Sequence, residues 1–247
     1  MCPVLFKIGP IEIHSYGAAL AFAFLTVAFL VRRRAFALGE NGDNILDLCV
    51  WLIVSGLIGG RLLFVLLNFE YYRENPLDTL KLWQGGLVWY GGLIAALLAA
   101  AIFLSAKKMP ILKTFDLMAP YAALGQSIGR IGCFLNGCCY GKAASAKFGV
   151  IFNTAQGPVY PTQLYESAAM FAVFLMLRKR SPAGGRTFFL YLILYSSVRF
   201  AIEFLRGDNP VVILHFTMSQ LISIVIFIIS CVLIQISNIK NQNRNAK

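Results

Sequence analysis

Residues 129–142 read Gly-Arg-Ile-Gly-Cys-Phe-Leu-Asn-Gly-Cys-Cys-Tyr-Gly-Lys, which sets Arg130 and Asn136 among four glycines at the end of an apolar segment. A guanidinium at bilayer depth costs several kcal/mol unless it meets a partner, so an arginine in such surroundings marks a site for an anion. Glycines beside it let backbone N–H groups turn toward that ligand. Two further arginines lie in apolar runs, Arg61 in Gly59-Gly60-Arg61 and Arg199. Each could be neutralised in a structural ion pair, or the planar forks could together hold phosphate oxygens. Both readings stay open for Arg61.

Tyr195, Arg199, Glu203 and Arg206 are separated by four, four and three residues, which puts them on one helical face. A local Arg199–Glu203 pair is the plain reading. A polar stripe of this length flanked by phenylalanines points instead to the lining of a polar cavity. Residues 85–92 place two glycine pairs around Trp89 and Tyr90. The aromatics suit a membrane interface, and Gly91 and Gly92 suit close backbone approach to a head group. In residues 160–166, Pro161 suits a first helical turn, Thr162 or Gln163 could satisfy free N–H groups, and Glu166 is a partner for an arginine.

Cys133, Cys138 and Cys139 are spaced by five and one, which matches neither a zinc nor a redox C-x-x-C pattern. Structural cysteines are the favoured reading, with a disulfide, a redox role or a metal as alternatives. Cys49 and Cys231 sit in apolar runs as small core residues, and His14 and His215 belong to no nucleophile–His–acid pattern.

These residues must be positioned by membrane helices. The 247-residue chain is 58% hydrophobic and only 13% charged, which excludes an ordinary soluble domain. Apolar runs near the roughly 20 residues needed to cross a bilayer predict an all-α polytopic protein of about seven spans: 15–32, 46–68, 86–106, 114–135, 162–178, 187–206 and 211–237. The fourth and fifth are interrupted by polar and glycine positions, which is tolerated where backbone is buried in protein or lines a polar cavity.

Arg32 to Arg34, Lys107, Lys108 and Lys113, Arg178 to Arg186, and Lys240 to Lys247 all fall on one side of this arrangement. That bias predicts an outward N-terminus and a cytoplasmic C-terminus. The other side holds fewer cations, several offset by Glu70, Glu74, Asp78 and Asp208. The net charge of +11 is spread through these loops without the aromatic interleaving of a nucleic-acid surface, so no nucleic-acid partner is expected. Span one lacks a basic leader and a cleavage site, so Cys2 is read as an ordinary residue. No internal repeat is apparent. One transmembrane domain over 1–237 and a polar, frayed cytoplasmic tail over 238–247 are expected, with the chemistry facing outward.

Taken in order, Tyr16-Gly17, Gly59-Gly60-Arg61 with Asn68, residues 85–92, 129–141, 161–166 and 199–206, and Met218-Ser219-Gln220 resemble the bacterial prolipoprotein diacylglyceryl transferase family over nearly the full length. The resemblance implies a multi-pass enzyme of the bacterial cytoplasmic (inner) membrane. It would move a diacylglyceryl group from phosphatidylglycerol to the lipobox cysteine of a prolipoprotein signal peptide and release glycerol phosphate, with membrane lipid as its surroundings and no cofactor or metal. By position it implies that Arg130 and Arg199 hold the phosphate, that Glu203 orients Arg199 or binds the head group, and that Tyr16, Asn136 and Gly141 line the pocket. Arg61, Arg206, Tyr90 and Gln163, with Gly91 and Gly92, form a second group. The nucleophile belongs to the substrate, so the cysteines of this chain need no catalytic pattern.

Two positions depart from the family: Tyr90 stands where many members have His, and Cys133 where many have Asn. A tyrosine is a poor base near neutral pH, with an ordinary pKa of about 10, so Tyr90 is expected to position the head group. The rival readings are a divergent paralogue with another acceptor and a transporter for an anionic lipid or solute. Transporters commonly show internal repeat symmetry.

Overall fold

A computed structural model describes residues 4–8, 11–81, 85–207, 209–213 and 216–245. Cys2, Asp208, His215 and Lys247 lie outside the described residues. The backbone divides into two compact units, Val31–Ile111 and Met1–Leu30 with Leu112–Lys247.

The Val31–Ile111 unit contains the second half of α1 (Ser15–Ala37), then α2 (Gly42–Leu67), α3 (Phe69–Glu74), a 3-10 turn at Pro76–Leu80, and α4 (Trp89–Ala106). Asn41 caps α2 by accepting from the N–H groups of Asp43 and Asn44 at 3.0 and 3.1 Å. Asp43 sits in the first turn, where the helix dipole favours a carboxylate, and also receives Arg32 Nη2 at 2.8 Å. The helices α2 and α4 pack through glycines. A side chain at Gly59 would collide with Gly91 O at 2.5 Å and with Ala95 Cβ, and one at Gly92 would meet Gly56 O at 3.0 Å. Small residues thus let two backbones approach where lipid offers no hydrophobic drive.

The other unit opens with the hairpin β1 (Val4–Ile8) and β2 (Ile11–His14) and the first half of α1. It continues with α5 (Ile111–Asn136), the hairpin β3 (Val150–Ile151) and β4 (Pro158–Val159), α6 (Thr162–Leu177), α7 (Arg186–Glu203), the hairpin β5 (Val211–Ile213) and β6 (Phe216–Thr217), and α8 (Met218–Asn245). The connection from α5 to α6 is folded. Phe152 is 1% exposed, stacked on Tyr140 with ring centres 5.2 Å apart and edge-on to Phe134. Thr154 Oγ1 donates to Gly137 O at 2.9 Å, which pins that connection to the end of α5.

Seven of these helices coincide with the seven expected spans. Four of them are both long and apolar enough to cross a membrane: Ser15–Ala37, Gly42–Leu67, Trp89–Ala106 and Met218–Ser237. The protein is therefore a mostly helical, multi-pass membrane protein. Ile58, Leu62, Ile102 and Ile228 remain exposed on α2, α4 and α8, as suits helices whose solvent is lipid. Among the others, α5 carries Lys113, Asp116, Arg130 and Pro120, and α7 carries Arg199 and Glu203.

Several boundaries differ from expectation. The helix α4 begins at Trp89 because Val88 before it is extended, with φ −96° and ψ 119°, and gives its N–H to Gly60 O at 3.0 Å. The last long helix starts at Met218, since 211–217 is taken by the β5–β6 hairpin. Its backbone stays helical through Asn245, so the polar tail is not frayed up to that point. The helix α7 ends at Glu203, and the chain turns as Lys142 N–H donates to Leu205 O at 2.8 Å and Gly141 bridges Arg206. Arg206 therefore leaves the helical face shared by Tyr195, Arg199 and Glu203.

Candidate active site

The end of α5 is shaped by a Schellman turn. Asn136 is its last residue, Gly137 takes φ +73°, Gly137 N–H donates to Phe134 O at 3.2 Å, and Cys138 N–H donates to Cys133 O at 3.2 Å. In that motif the second residue past the helix folds back onto the third residue before its end. Here those positions are Cys138 and Cys133. Cys139 follows in a left-handed conformation, φ +65°, uncommon for a residue with a Cβ. All three Sγ atoms lie within 4.8 Å of one another. A hydrogen bond with the Cys133 thiol, joined by one with Cys138 and by the Arg206 and Arg130 guanidinia, holds the Cys139 thiol well below its ordinary range. Burial pushes the Cys138 thiol up.

Expected to satisfy N–H groups at the start of α6, Thr162 and Gln163 instead donate across to this turn. Thr162 Oγ1 meets Cys139 O at 3.1 Å, and Gln163 Nε2 meets Cys138 O at 2.7 Å. Both side chains are almost fully buried. One turn further along α6, Glu166 Oε1 lies 2.9 Å from Arg130 Nε. A turn before Arg130, Ser167 Oγ donates to Ser127 O at 2.8 Å and fixes the same pair of helices. Tyr195 of α7 lies within electrostatic reach of Glu166, Arg199 and Arg130, so it connects the two arginines.

Arg199 and Glu203 form the second half. Arg199 Nη2 sits 2.9 Å from Glu203 Oε2 and donates to Ser219 Oγ at 3.2 Å. The approach to Oε2 is ionic, without hydrogen-bond alignment. Glu203 Oε1 is held from the other side by Asn209 Nδ2 at 2.6 Å and Thr217 Oγ1 at 2.7 Å. The Glu203 side chain is 1% exposed and that of Arg199 is 13% exposed. Among the described residues, Arg199 Nη1 is buried and has no hydrogen-bond partner. A buried donor left in that state costs about 1–3 kcal/mol, so it points to a missing acceptor. Arg130 and Arg206 lie within electrostatic reach of Cys139, so three guanidinia gather in this region.

Other expected residues fall around this arrangement. Tyr16, in the first turn of α1, is within electrostatic reach of Arg130 and the three cysteines, and Gly132 of α5 packs on it and on Ala19. Asn136 lies beside the Cys138 thiol, which donates to Cys133 O at 3.7 Å. Gly141 has no room for a side chain, because a Cβ would meet Leu205 O at 2.5 Å and Thr162 Cγ2 at 2.8 Å. It joins the long connection, the start of α6 and the Arg206 turn.

In the Val31–Ile111 unit the picture is different. Arg61 is 6% exposed, and its fork closes on backbone carbonyls: Nε on Thr79 O at 2.9 Å, Nη1 on Gly85 O at 2.7 Å and Gly86 O at 3.2 Å, and Nη2 on Asp78 O at 2.6 Å. It clamps the stretch leading to α4. Tyr90 is exposed on the first turn of α4, edge-on to Trp89. The close approach expected of Gly91 and Gly92 is made to the backbone of α2.

Asp116 carries weight that its sequence context did not announce. Buried at 2% exposure in α5, it accepts from Ala183 N and Gly185 N at 2.7 and 2.8 Å and from Phe188 N at 2.8 Å. It thereby caps α7, whose own N-cap Gly185 has no side chain to do so. Thr217 was also missed, and Gln220 was named only within Met218-Ser219-Gln220. Thr217 N–H donates to Gln220 Oε1 at 3.0 Å and Gln220 N–H donates back to Thr217 Oγ1 at 3.3 Å. The Thr-x-x-Gln spacing of a capping box was the available signal.

Comparison with known proteins bears on this arrangement. The family model described as "Prolipoprotein diacylglyceryl transferase" matches residues 3–236. The phosphatidylglycerol–prolipoprotein diacylglyceryl transferase of Clostridium tetani (strain Massachusetts / E88) is 36% identical over 250 residues, covering 98% of this chain and 100% of that protein. Transferase 2 of Clostridium perfringens (strain 13 / Type A) is 32% identical over 252 residues, covering 99% and 98%. The enzyme of Staphylococcus aureus (strain Newman) is 36% identical over 251 residues, covering 96% and 90%. A match from residue 3 to residue 236 takes in the long helices described above, α8 as far as Ile236, and the chain belongs to the prolipoprotein diacylglyceryl transferase family.

Proposed function

We propose that this protein transfers the diacylglyceryl group of phosphatidylglycerol to the lipobox cysteine thiol of a prolipoprotein signal peptide and releases glycerol phosphate. The observation that carries the reading is Arg199 Nη1, a guanidinium nitrogen buried without an acceptor among the described residues, on a helix whose Tyr195 is within electrostatic reach of Arg130. In the reaction the acceptor sulfur attacks the glyceryl carbon that bears the phosphate, and the carbon–oxygen bond breaks. Negative charge then grows on the departing phosphate oxygen. Fixed donors aimed at such a charge in a water-poor site lower the barrier most, and losing one typically costs about 100- to 1,000-fold in rate.

Arg130 and Arg199 serve as those donors. Glu166 and Glu203 are their positioning residues, and Glu203 is fixed in turn by Asn209 and Thr217. Tyr16, Asn136, Gly141, Gln163 and Arg206 shape the surroundings of Arg130. Arg61 holds the stretch before α4, and Tyr90 meets a lipid head group through its hydroxyl, next to Gly91 and Gly92. All seven long helices span the bacterial cytoplasmic membrane, with the N-terminus outside and the C-terminus inside, as the lysine and arginine bias supports. Residues 1–237 act as one transmembrane catalytic domain and 238–247 as a cytoplasmic tail.

The test is direct. Purified protein is incubated with phosphatidylglycerol vesicles and a lipobox peptide, and both peptide mass and glycerol phosphate are followed. A gain of one diacylglyceryl mass matched by glycerol phosphate release is expected, with no gain on a peptide whose cysteine is serine. Bound lipid without any transfer would overturn the reading.

A further inference from the structure

We infer that Cys133, Cys138 and Cys139 form a three-thiolate site for a soft divalent cation of the zinc class, whose open fourth position takes the acceptor thiol. The second half of that statement rests on the transferase reading above; the first does not.

The geometry comes from the backbone. A spacing of five residues is no metal motif in an extended chain or a plain helix. A Schellman turn folds Cys138 onto Cys133, and the left-handed residue Cys139 brings in the third sulfur. The three Sγ atoms lie within 4.8 Å of one another. Zinc–sulfur bonds of about 2.3 Å would put tetrahedral thiolates about 3.8 Å apart, a change that side-chain rotation supplies. Three protein ligands with one position open is the arrangement of catalytic zinc, while four closed ligands mark structural zinc.

The surroundings suit such a centre. The carbonyls of Cys138 and Cys139 are gripped from α6 by Gln163 and Thr162, which fixes the backbone that carries two of the three sulfurs. Contacts of this kind hold ligands in place around a metal. Three thiolates and a divalent cation carry one net negative charge, and the Arg130 and Arg206 guanidinia lie within electrostatic reach of the cluster. Cys133 is buried while Cys138 and Cys139 are half-buried, which leaves one side of the cluster accessible.

The chemistry gives the site a purpose. The acceptor must react as a thiolate, yet among the described residues the carboxylates of the site, Glu166 and Glu203, are tied to the guanidinia of Arg130 and Arg199. A bound cation removes the need for a base, since a coordinated thiol is deprotonated outright. The acceptor S–H would lose its proton to solvent on coordination. A sulfur lone pair then forms the carbon–sulfur bond, the carbon–oxygen bond to phosphate breaks, and its electron pair leaves on glycerol phosphate. The cation keeps its oxidation state throughout.

The experiment uses the whole protein, purified in detergent under reducing conditions and equilibrated with Zn2+ or Co2+ alone before removal of free metal. About one ion per chain and a thiolate-to-cobalt charge-transfer band are expected. A cysteine lipobox peptide should shift the cobalt ligand-field bands, and its serine counterpart should not. Cys133→Ser, Cys138→Ser and Cys139→Ser should each weaken binding by at least about a hundredfold, since even outer contacts are worth 10- to 100-fold. Independently of variant folding, Zn2+ should slow maleimide labelling of these three cysteines in the unmutated protein and leave Cys49 and Cys231 unaffected.

No ion retained by reduced protein, a thiolate band that survives the serine variants, or a disulfide among the three in native protein without metal would overturn the site. Bands indifferent to the cysteine peptide would overturn the fourth position. Full transfer by chelator-stripped protein would sink the metal's role and leave the transferase reading standing. Metal bound without transfer under any condition would support the three-thiolate site and overturn the transferase reading.

Discussion

Glu166 Oε1 lies 2.9 Å from Arg130 Nε, and the carboxylate side chain is 5% exposed against 24% for the arginine. The pair joins the first turns of α6 to the last turns of α5, so the glutamate fixes where that guanidinium points. Removing one partner of a buried pair leaves the other charge uncompensated, at about 3–5 kcal/mol. Glu166→Ala should therefore lower both the thermal stability of the detergent-solubilised protein and its transfer rate. Glu166→Gln, which keeps shape and one hydrogen bond, should recover much of the stability and less of the rate. Equal rates for Gln and Glu would show that charge at this position does not matter.

Asp116 stabilises without touching the reacting groups. Its three N–H donors come from residues 183–188, and a bond to a charged group is worth about 1.5–3 kcal/mol net of the exchange with water, the three not adding in full. Asp116→Ala should cost about 3 kcal/mol overall, read as a lowered unfolding temperature, with transfer per folded molecule little changed. An unchanged unfolding temperature would mean that α7 finds another cap.

Arg61 was open between an ion pair and a phosphate ligand, and its fork is filled with carbonyls of the stretch before α4. A lysine cannot reproduce that fork. Arg61→Lys should loosen the segment, seen as faster tryptic cleavage after Lys81 in folded protein. Cleavage at the wild-type rate would contradict the clamp.

Gly59 and Gly91 leave no room for a methyl group between α2 and α4. Gly59→Ala should destabilise by about 1–3 kcal/mol through overpacking, measured by thermal unfolding in detergent. A neutral result would require the two helices to separate at no cost.

Much of this arrangement was legible in the sequence wherever the signal was local. Arg199 and Glu203 are four apart on one helix and do pair, and Glu166 was marked as a partner because it is the acid one turn into a helix that opens with Pro161. The helices α1, α2, α4 and α8 followed from apolar length. What stayed hidden depends on chain reversal or on backbone partners. Arg206 was placed on the α7 face because periodicity does not show that the helix stops at Glu203. Asp116 acts on residues 67 and more positions away, and the ligands of Arg61 are carbonyls, which every residue has and no pattern distinguishes. The cysteine spacing had no meaning until Gly137 was seen to turn the chain.

The most direct measurement is the single-turnover rate of diacylglyceryl transfer by Arg199→Lys with phosphatidylglycerol and a lipobox peptide, against the unmutated protein. Lysine keeps the charge but loses the fork, of which Nη1 is buried without an acceptor among the described residues. A loss of about 100-fold or more is expected, with lipid binding within a few-fold of normal, as for removal of one donor to a developing anion. A rate within a few-fold of the unmutated protein would contradict the claim that Arg199 Nη1 receives the departing phosphate.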